Sequence, residues 1–367
     1  MAFRDKCLFL LSFFVWTLVV SCARTENDKF ERVASFERNL VNAKEPELVC
    51  QLSESSILLR EIVDFTILSD TSFVVLDGRG AYLYHISGAF KKQFGSSGQA
   101  GGEMISPSNV YATSNFVYIW CSSLMKFLIY DHEANFKKEL SGFKRAVNKF
   151  VVNSSDEMLY AYTSGFFDET NNKMFDVINA YNITKESSKL FGERGPEDEV
   201  LSTWINSGGF YVDMDRFIYL HSGNLIVHNL DLNSDVTTRY KIDDKAFYTT
   251  EITSSIREIK ENGSKLIDYL HKNSLVKGFY KNNDQYIIVS EIGQYDLNAQ
   301  TRVMNSKERK VKLYILDTSF NPIHTILYDY VKSPNFVVHS NSLYFTTLMT
   351  SDEDQKISLN RFPLFEK

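Results

Sequence analysis

Residues 65–94 contain four short runs, FTILSD (65–70), SFVVLD (72–77), AYLYHIS (81–87) and AFKKQF (89–94), separated by tight polar or glycine-bearing turns. Each run has the length of a strand and is rich in β-branched and aromatic residues, so the stretch reads as an up-and-down four-stranded sheet. The cadence then repeats. A second cycle occupies 109–113, 116–121, 126–131 and 136–140, a third 149–152, 157–163, 175–183 and 188–191, and a fourth 209–213, 217–221, 224–229 and 236–242. A fifth covers 276–280, 285–291, 310–317 and 322–328, and a sixth supplies only three strands, 335–339, 342–348 and 357–363. Segment 47–52, ahead of the first cycle, is strand-like and unassigned, which makes it the expected fourth strand of the last. A four-strand unit recurring every 50 or so residues marks a radial array. Radial repetition leaves only short protected edges, and sealing the last unit with an N-terminal strand joins the chain ends by hydrogen bonds.

The expected fold is therefore all-β. It is a six-bladed β-propeller of four-stranded blades over 46–367, closed by an N-terminal strand. A pair of β-sandwiches also has short strands, but the third strands argue against it. Tyr82-Leu83-Tyr84, Phe127-Leu128-Ile129-Tyr130-Asp131, Leu225-Ile226-Val227-His228 and Leu313-Tyr314-Ile315-Leu316-Asp317 repeat one local solution at blade spacing. Composition agrees with a folded chain. In 367 residues, 44% are hydrophobic and 14% aromatic, with 28 Phe and 20 Tyr, which excludes disorder. A formal charge of -6 gives no global attraction to nucleic acid, so none is expected as a partner.

The N-terminus has the form of a secretory signal: Arg4 and Lys6 precede an apolar run from Cys7 to Val20 that ends in small residues. That run is shorter than the ~20 residues a spanning helix needs. Val19-Val20-Ser21-Cys22 resembles the lipobox of bacterial lipoproteins, whose cysteine becomes the acylated first residue of the mature chain. The other reading leaves Cys22 beside an ordinary cleavage site. On the lipobox reading 1–21 is a signal peptide, Cys22 is the lipid attachment site and polar 22–45 is a tether. The folded part would then ride on a membrane, held by more than one acyl chain. Cys50 and Cys121 remain for the folded part; a bridge between them is permitted in an oxidising compartment but not implied. No C-x-x-C spacing points to zinc.

A glycine-rich connection follows the first cycle, Phe94-Gly95-Ser96-Ser97-Gly98-Gln99-Ala100-Gly101-Gly102-Glu103, and a degenerate copy, FGERGPEDE, occupies 191–199. With the lipobox and the repeat, this loop makes the chain resemble NHL-like six-bladed β-propeller lipoproteins of the Bacteroidetes type. Their loop reads G-x-x-G-x-G-P-G-E, matched here at Gly95, Gly98, Gln99, Gly102 and Glu103, while Ala100 and Gly101 replace Gly-Pro. The resemblance implies the propeller and a bacterial cell-envelope location, in the periplasm or at the cell surface. It assigns no activity, because members are mostly of unassigned function.

Loop lengths point to a working face. Connections between first and second strands are brief, as are those between third and fourth. Length accumulates between second and third strands, at 164–174 and 292–309, and between blades, at 95–108, 192–208 and 243–275. In a propeller these two long classes share one face, and long loops gathered on one rim suit binding. Gly98, Gln99, Glu103, Arg194 and Trp204 are the candidate binding-face residues. Within the longest connection, Ile252, Ile256, Ile259, Leu266, Ile267 and Leu270 recur at helical spacing, so a helical insertion is expected over 246–275. That insertion either packs on the rim or serves as a lid or docking element.

No P-loop, G-x-S-x-G, H-E-x-x-H or EF-hand pattern occurs, and the seven histidines show no ligand spacing. His85 and His228 fall in strands and read as structural, and Asp213-x-Asp215 reads as a pair of turn residues. Trp120 and Trp204 are large amphipathic surfaces, suited either to core packing or to stacking on sugar rings. The leading expectation is a non-enzymatic, lipid-anchored envelope module that binds a glycan, peptide or protein partner through the long-loop face. The alternative is a calcium-dependent hydrolase, lactonase or lyase with its metal in the central channel, held by oxygens from several blades. A sensor or scaffold would instead show a large apolar patch on the 246–275 element.

Overall fold

The computed structural model describes residues 45–52, 62–143, 146–163, 178–191, 208–249, 272–293, 309–329, 335–350 and 355–364, apart from Met214 and Asp235. It also describes Leu59, Ser264 and the strand segments Arg32–Ser35, Leu40–Asn42, Phe167–Asp168, Lys173–Met174, Asp296–Asn298 and Val303–Asn305. Six antiparallel sheets form the blades. From first to fourth strand, blade 1 runs Asp64–Ser69, Ser72–Asp77, Gly80–His85 and Phe90–Phe94. Blade 2 runs Pro107–Ala112, Phe116–Cys121, Lys126–Asp131 and Phe136–Leu140, and blade 3 runs Val147–Val152, Met158–Thr163, Ile178–Asn182 and Ser187–Phe191. Blade 4 has Gly209–Asp213, Arg216–Leu220, Ile226–Asp231 and Thr237–Asp243, and blade 5 has Leu275–Asn282, Gln285–Ile292, Lys310–Asp317 and Pro322–Asp329. Blade 6 is Phe336–His339, Ser342–Thr350 and Gln355–Pro363, completed by Glu47–Gln51. The ring thus closes with the N-terminal strand. First strands of neighbouring blades touch in succession, and the sixth returns to the first.

The packing explains the unbroken apolar runs of the second strands. Six buried clusters fill the six seams between blades, so each sheet is covered on both faces. In SFVVLD, Phe73 and Val75 pack toward blade 6, while Val74 and Leu76 pack toward blade 2. A strand buried on both faces has no reason to alternate polar and apolar residues. Outer strands do face water, and read accordingly as FKKQF, FKKEL and SSKLF, buried only at their last residue. The third strands of blades 2 to 5 end in an Asp or Asn that accepts backbone N–H bonds from the following turn. Asp131 accepts from Glu133 and Asn135, Asp231 from Asn233 and Ser234, and Asp317 from Ser319 and Asn321. Asn182 accepts likewise from Thr184 and Lys185. A side chain that mimics a backbone turn acceptor fixes a short connection, and this gives the repeat its regular beat.

Three features refine the expectations from sequence. Within 22–45, read as a tether, Arg32–Ser35 pairs in parallel with the outer strand of blade 4, and Leu40–Asn42 pairs in parallel with that of blade 5. The long connections at 164–174 and 292–309 each contain a two-stranded ribbon, Phe167–Asp168 with Lys173–Met174 and Asp296–Asn298 with Val303–Asn305. The helix expected over 246–275 falls almost wholly outside the described residues. Among the described residues, no helix is long and apolar enough to cross a membrane. Cys50 and Cys121 are unbridged, lie in the clusters of different seams, and have thiols pushed up to about 11 by burial. Trp120 is fully buried between Phe127 and Phe143, at ring distances of 4.7 and 5.7 Å, so it is a core residue and not a stacking platform.

Candidate functional site

The first strands enclose an axial cavity of about 250 Å³. Its lining is one triplet from each blade, Asp64-Phe65-Thr66, Asn109-Val110-Tyr111, Lys149-Phe150-Val151, Gly209-Phe210-Tyr211, Gly278-Phe279-Tyr280 and Asn335-Phe336-Val337, together with Lys281 and Val338. The leading residues are equivalent by register. Asp64, Asn109, Lys149, Gly209 and Gly278 lie opposite Leu76, Trp120, Tyr162, Leu220 and Val289 of their second strands. Asn335 immediately precedes the pair Phe336 and Phe345. Bulges at Pro107/Asn109, Val147/Lys149 and Val276/Gly278 set three of these registers. The middle residue of every triplet is buried. Alternation therefore places the leading and third residues as two successive layers of the channel wall.

The leading layer forms a hydrogen-bonded belt. An innermost strand has no partner on its channel side, so its backbone groups need side chains to satisfy them. Asp64 Oδ2 accepts from Val110 N at 2.9 Å, and Asn109 Nδ2 donates to Asn148 O at 2.9 Å. Lys149 Nζ then donates to Gly208 O at 2.9 Å and to Lys277 O at 2.6 Å. Blades 4 and 5 carry only glycine at this position, and the long Lys149 side chain serves both. Tyr280 OH donates to Phe336 O, and Asn335 Nδ2 reaches Asp64 Oδ1 at 2.6 Å and Val63 O at 3.4 Å, completing the circuit. Gly209 permits the tightest approach, because a Cβ there would lie 2.1 Å from Phe279 N.

Two charges sit in this belt. Burial pushes the Asp64 carboxyl up to about 6, against its hydrogen bonds and the Lys149 charge, and pushes the Lys149 ammonium down to about 8, helped by Lys277. The signs give a pH profile. Asp64 holds its proton more tightly in the folded chain, so stability falls as pH rises from about 4 to 6. Lys149 holds its proton less tightly, so stability rises with pH between about 8 and 10.5. Near neutrality both are charged. The cost of the ionised Asp64 is about 3 kcal/mol for a shift of roughly two pH units. Asp64→Asn is expected to abolish the fall between pH 4 and 6 while leaving the alkaline limb. Urea unfolding across pH checks this, and an unchanged acid limb would refute it.

The third layer is neutral: Thr66, Tyr111, Val151, Tyr211, Tyr280 and Val337. The Tyr111 and Tyr211 hydroxyls have no protein hydrogen-bond partner among the described residues, and both line the cavity. Beyond Tyr211 lies an ion cluster in which Asp213 Oδ2 accepts from Lys281 Nζ at 3.0 Å, Arg216 at 3.1 Å and the Tyr286 hydroxyl at 3.1 Å. Asp213 is thus held by blades 4 and 5 together, and Asp215 is exposed in the turn. Calcium takes 6–8 oxygen ligands, several of them carboxylate. The channel triplets offer one carboxylate, already accepting from Val110, Phe65 and Asn335, with an ammonium beside it. No group of three or more His, Cys, Asp or Glu side chains gathers among the described residues. This donor set does not fit calcium.

Of the residues singled out from sequence, Gly98, Gln99 and Glu103 do not line the channel cavity. Glu103 accepts from Ala100 N at 2.9 Å and Ser96 Oγ at 3.1 Å, and these bonds hold its carboxyl below the usual range. A Cβ on Gly98 would meet Glu103 Oε2 at 2.0 Å, and one on Gly102 would meet the Phe136 ring at 2.8 Å. Gly98 and Glu103 therefore shape the long connection after blade 1, and Gln99 is exposed at its tip. Arg194, Trp204 and Cys22 lie outside the described residues. His228 stacks on Tyr219 at 4.6 Å, and His85 bonds within its own turn to Ser87. Sequence reading missed the belt, although aligning the six cycles reveals its signal. The second triplet residue is Phe in blades 1, 3, 4, 5 and 6 and Val110 in blade 2.

No protein-family model matches the sequence, and no curated protein matches it. Solved structures do resemble it. One, from Bacteroides vulgatus ATCC 8482, is a member of the DUF4221 family; it superposes with a TM-score of 0.61 at 9% identity, over 87% of this chain and 97% of that one. Another, from Bacteroides fragilis NCTC 9343 and described as an exported protein, gives 0.58 at 12% identity over 90% and 99%. The WD40 repeats of RRP9 give 0.50 at 9% identity over 87% and 99%. At these identities the likeness is one of fold: this chain is a six-bladed β-propeller with structural neighbours among Bacteroides proteins.

Proposed function

We propose that the chain is a lipid-anchored envelope module of the NHL-like propeller type, attached through Cys22, that binds a glycan end group in the axial cavity. The observation that carries this reading is the two-layer channel. The charges of the leading layer are spent on the belt, whereas Tyr111 and Tyr211 offer unpaired hydroxyls on aromatic walls. A tyrosine hydroxyl both donates and accepts, as sugar hydroxyls do, and the ring supplies apolar contact area. The exported description of one structural neighbour supports an envelope location.

Purified protein screened against envelope oligosaccharides by calorimetry tests the reading. Tyr111→Phe and Tyr211→Phe should each weaken binding about five- to tenfold, the worth of a hydrogen bond, with the unfolding midpoint unchanged. Absence of binding across the screen, or binding indifferent to both hydroxyls, sinks it; capture of a peptide alone would move the partner class.

A further inference from the structure

We propose that the N-terminal segment is a perimeter strap that fixes which way the propeller faces: blade 4 lies nearest the membrane and the long-loop face points away from it. The inference rests on Cys22 being acylated. Its own ground is strand direction. The outer strand of blade 4, Thr237–Asp243, starts at the short 231–236 turn and ends at the long connection toward blade 5. Arg32–Ser35 lies parallel to it, with Arg32 opposite Tyr240 and Ser35 opposite Asp243. The chain therefore travels toward the long-loop face, and it enters Arg32 from the short-turn side. Leu40–Asn42 and Glu47–Gln51 continue the strap over blades 5 and 6.

The strap shortens the leash. Only residues 23–31 separate the anchor from Arg32, a reach of about 30 Å fully extended, against about 80 Å if 23–45 were all free. The facing turns set a stand-off, since Asp70, Asp215 and Asp284 are exposed on the short-turn side. Those charges repel an anionic headgroup layer within a Debye length of about 8 Å, which the leash exceeds. The long-loop face is thereby presented to the space beyond the membrane.

Energy transfer to a headgroup-labelled lipid tests the orientation, using acylated full-length protein in vesicles of phosphatidylethanolamine and phosphatidylglycerol. Cys50 and Cys121 are buried, so a single introduced cysteine takes the dye. Ser234→Cys marks the short-turn side of blade 4, and Ala100→Cys marks a long connection. Transfer should be severalfold higher from the first, and an insertion of eighteen Gly/Ser residues after Asn27 should reduce that difference. Equal transfer from both sites, a higher value from Ala100→Cys, or indifference to the insertion overturns the proposal. Intact mass separates the two readings: an unacylated chain removes the anchor and the orientation together, whereas an acylated chain with equal transfer removes the orientation alone.

Discussion

Lys149→Met is expected to cost about 3–5 kcal/mol of folding stability at neutral pH, the loss typical of removing one partner from a buried charged network. The side chain supplies the belt's donors to Gly208 O and Lys277 O, on two different blades. Neither blade can replace them, because Gly209 and Gly278 occupy the equivalent positions. The change also leaves Asp64 buried without the positive charge that offsets part of its desolvation. Its carboxyl should rise further, moving the acid limb of the stability profile to higher pH. Urea unfolding at pH 7 reads the first effect and a pH series the second. The double variant with Asp64→Asn should cost less than the two single changes summed, because it removes the pair together. A single-variant cost below about 1 kcal/mol, the level of an ordinary exposed ion pair, would show that the belt does not hold the ring.

The architecture was legible in the sequence because blade formation is governed by local pattern. Strand-length runs, Asp-capped turns and the orphan segment at 47–52 each carry their own signal, and the seams between blades follow from second strands with no polar face. The belt was less legible. Asp64, Asn109, Lys149 and Asn335 follow no common residue pattern, and each bonds to backbone on another blade, 39 to 272 residues away in sequence. Chemistry of that kind appears only once the cycles are aligned strand by strand. The strap was hidden for a different reason. A four-residue and a three-residue strand added to an existing edge need backbone pairing more than side-chain burial, so polar composition read as a tether. Gly98 and Glu103 drew notice as a motif, yet their partners are in the loop itself.

Gly209→Ala should be among the most damaging single substitutions in the ring, although it adds one methyl group. The added Cβ would lie 2.1 Å from Phe279 N, 2.7 Å from Gly278 C and 2.8 Å from Phe279 Cβ. Two of these three atoms belong to the backbone of the neighbouring first strand, which a rotamer change cannot move. Gly209 does not occupy the left-handed region, so the cost is steric and not conformational. The seam between blades 4 and 5 must widen, which strains the span of Lys149 and the packing of Phe279 on Tyr286, now 5.3 Å apart in a stacked pair. Overpacking of a close-packed core costs about 1–3 kcal/mol, and Gly209→Val should exceed that range. Gly78→Ala is the control, since a Cβ there meets nothing within 4 Å, and its effect should stay within about 0.5 kcal/mol. Denaturant midpoints compare the three variants, and hydrogen exchange should show lost protection first in the first strands of blades 4 and 5. If Gly209→Ala matched Gly78→Ala in both readouts, the two blades would not meet as closely as the belt requires, and the channel would lack the wall that Tyr211 and Tyr280 share.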